Sequence, residues 1–321
     1  MVVFDLHCDL LSYLAGNALA PRSPRSAYNN ESRTSISQLM KGGVAVQTLV
    51  IYTPTKPWSV RSGLRQLALY QEFPNRYKNV LSPFHSNLKA DIKTCLAIEN
   101  ASALVYEDEP LQKGLDRLDM VVARVETPLY ISLTWNEENR FGGGANAQAI
   151  GLKPDGKVLL EWAKHNGVCI DFSHTSDKLA EDILNSTSSK VLASHSNFRD
   201  VCPVARNLPK QIAQEIARRG GVIGLNFVRP FVGATSSALL KHIEYAHTLG
   251  IENALALGAD LFSTSCIPAS QRKSASFYFF DDLENASCYP KLRQMVTKAF
   301  GENYAERLFY KTAFNFCRAR G

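Results

Sequence analysis

The sequence predicts an α/β protein of the (β/α)8 barrel type, with eight parallel strands inside an outer ring of helices. Three observations lead there. Eight short runs of valine, isoleucine and leucine recur along the 321 residues. Amphipathic stretches separate them, the pattern of βα units around a parallel sheet. Histidines and carboxylates follow directly on several of the runs, where a barrel of this type carries its chemistry. The length suits one such domain, so a single domain over 1–321 is expected. A doubly wound open sheet is the alternative.

The apolar runs fall at 2–6, 44–52, 92–98, 129–135, 167–172, 190–193, 221–227 and 254–258. Each has the length of a strand, and most lack a polar interruption. Stretches 178–185, 208–219 and 237–250 carry apolar residues at helical spacing and suit the outer ring. Two regions break the rhythm: 20–37, rich in Arg, Ser and Asn, and 262–276, without a clear period. Both read as long loops, and loops after barrel strands wall the substrate face. The tail 289–320 predicts a helix with Leu292, Met295, Val296 and Phe300 on one face.

Composition narrows the function classes. Hydrophobic residues at 45% and charged residues at 21% describe a chain with a real core. Lysine and arginine outnumber acidic residues 36 to 30, but no basic run interleaves with aromatics as in a nucleic-acid groove. Seven cysteines with no C-x-x-C pair indicate neither a disulfide framework nor a zinc knuckle, and read as buried thiols in a reducing compartment. The opening Met-Val-Val-Phe-Asp lacks the features of a secretory signal, and no apolar run reaches membrane-spanning length. A cytoplasmic chain with no membrane partner is expected.

The chemistry concentrates at strand ends. His7 and Asp9 lie two apart in Asp5-Leu6-His7-Cys8-Asp9, so in an extended chain both face the same way. Alone, such a pair is more often a structural hydrogen bond. Glu99 follows Cys95-Leu96-Ala97-Ile98, His174 follows Ile170-Asp171-Phe172-Ser173, and His195 follows Val191-Leu192-Ala193-Ser194. A barrel brings all five to one rim, and three imidazoles with two carboxylates suffice for two zinc ions if Glu99 bridges. Singly, Glu99 reads as a rim salt bridge and the histidines as turn residues. Asp260, ending Ala256-Leu257-Gly258-Ala259-Asp260, is a candidate proton carrier or else a helix cap. Arg206 could fork onto a substrate carboxylate or make a surface ion pair. His85, His165, His242 and His247 lie away from strand ends and read as structural.

Asp5-Leu6-His7-Cys8-Asp9-Leu10, Ile98-Glu99-Asn100, Asp171-Phe172-Ser173-His174 and Ala193-Ser194-His195-Ser196 resemble, in that order, the membrane (renal) dipeptidase family of dizinc peptidases. Arg206-Asn207-Leu208-Pro209, Leu257-Gly258-Ala259-Asp260 and Asn315-Phe316-Cys317-Arg318 extend the likeness over the whole chain. The resemblance implies His7 and Asp9 on one Zn2+, His174 and His195 on the other, and Glu99 bridging both as a catalytic carboxylate. It implies Asp260 as the proton-handling group, Arg206 as a substrate anchor, a dipeptide substrate and a homodimer. The expected reaction is peptide-bond hydrolysis by a metal-bridging hydroxide. A related amidohydrolase acting on an N-acyl amino acid, lactam or lactone is the alternative, as is a silent binding barrel.

Two departures stand out. Trp135 occupies the place of a family histidine in Leu133-Thr134-Trp135-Asn136, which makes Trp135 and Asn136 candidate substrate contacts. Asn136 or Asn139 is then the source of the hydrogen bond that the imidazole would make, with Gly142-Gly143-Gly144 allowing a loop to come close. After Asp260 the family continues Phe-Asp-Gly, whereas this chain has Leu261-Phe262-Ser263, a more apolar pocket wall.

Overall fold

The computed structural model describes residues 1–16, 26–267 and 269–319. Among them, nine strands form one all-parallel sheet: β1 (Val3–Cys8), β2 (Val44–Tyr52), β3 (Leu81–Pro83), β4 (Ile92–Glu99), β5 (Tyr130–Ser132), β6 (Cys169–Asp171), β7 (Val191–Leu192), β8 (Ile223–Leu225) and β9 (Leu255–Leu257). The strand order is β7-β6-β5-β4-β2-β1-β9-β8, with β3 paired beside the first half of β4. Ala193 bridges Ile223 in parallel, and the Gly224 amide donates to the Ala193 carbonyl at 2.8 Å, which closes the ring. The predicted barrel is borne out, and the eight apolar runs coincide with its eight ring strands. β3 is an addition that three residues ending in proline do not announce.

The three predicted helices appear as Asp177–Ser186, Lys210–Arg218 and Ala238–Thr248. Local chemistry starts the first of them; the Ser176 hydroxyl accepts from the Leu179 amide at 2.9 Å, a standard N-cap. The tail differs from its expectation. Gly301, at φ 85, interrupts it, giving Tyr289–Phe300, Glu302–Glu306, a π-helical turn Arg307–Lys311 and Thr312–Arg318. Arg320 lies outside the described residues. Of the expected loop 20–37, residues 20–25 also lie outside them; its later part holds a turn at Asn30–Ser32 and the start of helix Ile36–Lys41, closed by a Ser35/Gln38 capping box. The 262–276 stretch carries a turn at Thr264–Cys266 and the start of a short helix, Ala275–Tyr278. No helix among the described residues is long and apolar enough to cross a membrane.

Alternation along the strands positions the site. Phe4 and Leu6 of β1, Val46 and Val50 of β2, Cys95 and Ala97 of β4, Cys169 of β6, Leu192 of β7 and Ala256 of β9 share one buried cluster. Ala313, Phe316 and Cys317 of the last helix join it, and that helix packs on β1 and β9. Side chains two residues apart on a strand share a face. Glu99 and Asp171, the last residues of β4 and β6, therefore continue the faces of Ala97 and Cys169 toward the C-terminal mouth.

Candidate metal centre

At that mouth the ring closure gathers His7, Asp9, Glu99, His174, His195 and Asp260, all buried, from five different strand ends. Glu99 is central. Its Oε2 lies 3.3 Å from His7 Nε2, while its Oε1 lies 3.0 Å from His174 Nε2 and 3.8 Å from His195 Nε2. Ligand atoms of three overlapping groups lie within 4.8 Å of one another: His7, Asp9 and Glu99; Glu99, His174 and His195; and His7, His195 and Asp260. Glu99 faces imidazoles instead of the lysine or arginine of a rim salt bridge. Asp9 is the N-cap residue of helix Leu10–Ala15 but makes no side-chain cap, which leaves its carboxylate to the cluster. His174 and Asp260 reach their positions from left-handed backbone, at φ 68 and 57, a conformation that costs a non-glycine residue ~1–3 kcal/mol and concentrates at functional sites.

Hydrogen bonds behind the rings decide which nitrogens face inward. The Tyr130 hydroxyl donates to the Leu6 carbonyl at 3.0 Å, so it accepts from His7 Nδ1 at 2.9 Å. The Ser194 hydroxyl donates to Asp171 at 2.7 Å and accepts from His195 Nδ1 at 2.7 Å. Asn136 Oδ1 accepts from His174 Nδ1 at 2.7 Å. All three Nε2 atoms are thereby left as bare lone pairs, and those of His174 and His195 stand 2.9 Å apart. His7 Nε2 and Asp9 Oδ1 are buried with no hydrogen-bond partner. Lone pairs crowded together and buried polar atoms left unpaired cost free energy that a cation between them removes. Imidazole nitrogens with carboxylate oxygens are the donor set of zinc, so the residues present fit a divalent metal pair.

Electrostatics agree. Burial pushes the Glu99 carboxyl up to about 8 and Asp260 up to about 6. Asp9 is raised well above the usual carboxylate range, by burial and then by the Glu99 charge. His174 and His195 are held well below the ordinary imidazole range, chiefly by burial and further by the Arg206 charge. Three carboxylates cannot all ionise in so dry a space without a strong positive charge beside them. Arg206 is the resident cation. It is 9% exposed, its Nη1 donates to Ser196 at 2.8 Å and its Nη2 to the His195 carbonyl at 2.9 Å, while Nε has no partner. That placement excludes a surface ion pair. Asp260 caps no helix; its Oδ2 accepts from Asn226 Nδ2 at 2.9 Å and its Oδ1 faces His7 Nε2 at 3.7 Å.

The loop after β5 places Trp135 with its ring centroid 5.9 Å from that of His174 and 5.4 Å from that of Tyr52. Asn136, expected at the substrate, spends its carbonyl oxygen on His174. Asn139 is fully engaged, donating to Asn100 and Ser102 of the loop after β4 and to Leu133, and accepting from Phe141 and Gly142, so it does not replace the missing imidazole. Gly144 explains the close loop: a methyl there would run into the Trp135 carbonyl oxygen. Phe262 packs on Tyr278 and Phe279 at centroid distances of 5.4 and 5.1 Å. His242 is structural as expected, taking the Phe198 amide at 3.2 Å and donating to the Val232 carbonyl at 3.0 Å.

Sequence reasoning does not single out the supporting residues. Asp5 accepts from the amides of His7 and Ala259, the latter just before Asp260. Asp171 accepts from the amides of Ser173 and Ser194, just before His174 and His195. Each carboxylate thus ties two candidate ligand positions on adjacent strands together. The available signal is an aspartate inside an apolar strand run, two or three residues ahead of a histidine. Tyr130 and Asn226 carry no such signal.

The model of the family described as membrane dipeptidase (Peptidase family M19) matches residues 1–308. An uncharacterized protein in the PQQ-III 3' region of Acinetobacter calcoaceticus is 28% identical over 187 residues, 51% of this chain and 59% of that protein. One in the pqqA 5' region of Klebsiella pneumoniae is 33% identical over 141 residues, 39% of this chain and 52% of that protein. The matches thus span between half and three fifths of these curated relatives. A Rhodobacter sphaeroides metallo peptidase, liganded with a phosphinate mimic of the dipeptide L-Ala-D-Ala, superposes with a TM-score of 0.78 at 18% identity, over 100% of this chain and 99% of that one. The probable dipeptidase PvdM from Pseudomonas aeruginosa gives 0.74 at 15%, over 100% and 96%. These two likenesses concern the fold, whereas the family match runs through every residue of the candidate centre, and the chain belongs to the membrane dipeptidase family.

Proposed function

We propose that this single-domain barrel is a zinc-dependent dipeptidase. The observation that carries the reading is Glu99, one oxygen turned to His7 and the other to His174, between two sets of candidate ligands. His7 and Asp9 would hold one ion, His174 and His195 the second, and Glu99 both. When bound, such a metal pair lowers the pKa of water and polarises the scissile carbonyl.

The chain's own residues supply the rest. Arg206, the cation buried beside the cluster, holds the substrate's C-terminal carboxylate and so limits the substrate to two residues. Asp260 accepts the proton of the attacking water at Oδ1, the oxygen that Asn226 leaves free, and returns it to the leaving amine. Tyr130, Ser194 and Asn136 keep the imidazoles in the tautomer that presents Nε2 inward.

Seven cysteines with no C-x-x-C pair, five of them buried, support a cytoplasmic location. The family supports a homodimer, which light scattering on the purified chain tests. The deciding experiment is metal analysis with an assay of amine release from L,L- and L,D-dipeptides. Two zinc ions per chain and chelator-sensitive cleavage support the reading. Bound zinc without cleavage moves the substrate to N-acyl amino acids, lactams or lactones, and a protein with no bound metal and no cleavage is a silent binding barrel.

A further inference from the structure

We infer that Trp135 and Tyr52 form an aromatic subsite for the N-terminal residue of the substrate, so that the protein selects dipeptides beginning with an apolar or aromatic residue. The inference rests on the dipeptidase reading and names its substrate class. Tyr52 is the last residue of β2 and pairs in register with Glu99 of β4, so its ring stands beside the central carboxylate. Gln66 clamps its backbone from both sides, accepting from the Tyr52 amide at 3.0 Å and donating to its carbonyl at 2.7 Å. Trp135 meets Tyr52 at an interplanar angle of 57° and His174 at 35°. Both aromatic residues are part-exposed, while Leu133 and Thr134 before Trp135 are fully buried.

The topology sets the direction of the substrate. Around the closed ring, Tyr52 ends β2 and Trp135 follows β5, the two strands flanking β4. Arg206 follows β7 and Asp260 follows β9, the two flanking β8, which lies opposite β4. A dipeptide with its carboxylate on Arg206 crosses the histidine and carboxylate cluster and brings its N-terminal side chain onto the aromatic pair. Aromatic faces receive apolar and aromatic groups well, in tilted or offset geometry. An acidic side chain is disfavoured there, because two ring faces offer its carboxylate no hydrogen bonds to replace its hydration.

The test uses the zinc-loaded protein and compares kcat/KM for Phe-Ala, Leu-Ala, Ala-Ala and Asp-Ala, together with calorimetric binding of phosphinate isosteres of Phe-Ala and Ala-Ala. Wild type is expected to prefer Phe-Ala and Leu-Ala, and Trp135→Ala to lower the Phe-Ala to Ala-Ala ratio by ~10-fold or more, the scale of a lost apolar contact surface. Trp135→Leu, which keeps bulk without the ring, is expected to lower that ratio less. A wild-type preference for Ala-Ala or Asp-Ala overturns the inference, and so does a ratio unchanged in a folded Trp135→Ala protein. If no dipeptide is cleaved but the Phe-Ala phosphinate binds more tightly through Trp135, the hydrolytic reading fails and the subsite stands. Equal binding of both phosphinates removes the subsite whatever is cleaved.

Discussion

Replacing Asn136 with alanine removes the hydrogen bond between His174 Nδ1 and the Asn136 side chain, the 2.7 Å contact to Oδ1. The main chain of this loop is held independently, by the Asn146 amide donating to the Asn136 carbonyl at 2.7 Å, so the deletion is local. His174 already sits on left-handed backbone at φ 68, and its ring direction depends on that partner. Losing the group that orients a metal-binding histidine weakens metal affinity by ~10- to 100-fold, equivalent to ~1.4–2.8 kcal/mol. The assay is competition with a chelator of known zinc affinity at fixed pH, following the more weakly held ion. Asn136→Ala should release zinc at correspondingly lower chelator concentration, whereas Asn136→Asp, which keeps the acceptor, should bind like wild type or more tightly. Equal affinity in all three proteins, with melting temperatures unchanged, would mean that packing alone orients His174, and the reasoning would fail.

Three further outcomes are expected. Asp260→Asn should lower kcat by ~10²–10⁴-fold, the size of a lost proton carrier, with zinc content unchanged; loss of zinc would make Asp260 a ligand, as its nearness to His7 and His195 permits. Gly144→Ala drives a methyl into the Trp135 carbonyl and should lower the melting temperature by an amount matching ~1–3 kcal/mol, together with zinc affinity through displaced Asn136; an unchanged melt would show that the loop yields freely. His242 is held by burial at about 4, below its ordinary 6.5, so the unfolded chain takes up a proton there that the folded chain refuses. Its contribution is therefore complete above pH 6.5 and falls as pH drops toward 4, by ~3 kcal/mol in all. His242→Gln should flatten that part of the stability profile, and parallel profiles for the two proteins would contradict the assignment.

Much of the fold is legible in the sequence because strand and helix periods are local properties. An apolar run of strand length ending in a histidine or carboxylate reads the same in any context, and the barrel then brings Glu99, His174 and His195 together from positions far apart in the chain. The tail helix reads less well, since apolar spacing continues through Gly301 while the backbone turns at φ 85. β3 also escapes, because Leu81-Ser82-Pro83 has too few residues to show a period.

What the sequence by itself determines here is the succession of βα units and the residue types at the strand ends, since both follow from patterns within a few residues; closure of the sheet into a barrel, rather than an open doubly wound sheet, is seen in the Ala193–Ile223 bridge. Only the tertiary structure decides which groups stand behind them. His7 meets the Tyr130 hydroxyl across 123 positions, and Tyr52 meets Glu99 through strand register. Asn136 moves from expected substrate contact to partner of His174 because the Gly144 loop packs on Trp135. Such pairings depend on ring closure and on how closely two backbones approach, and neither distance is encoded in any one segment.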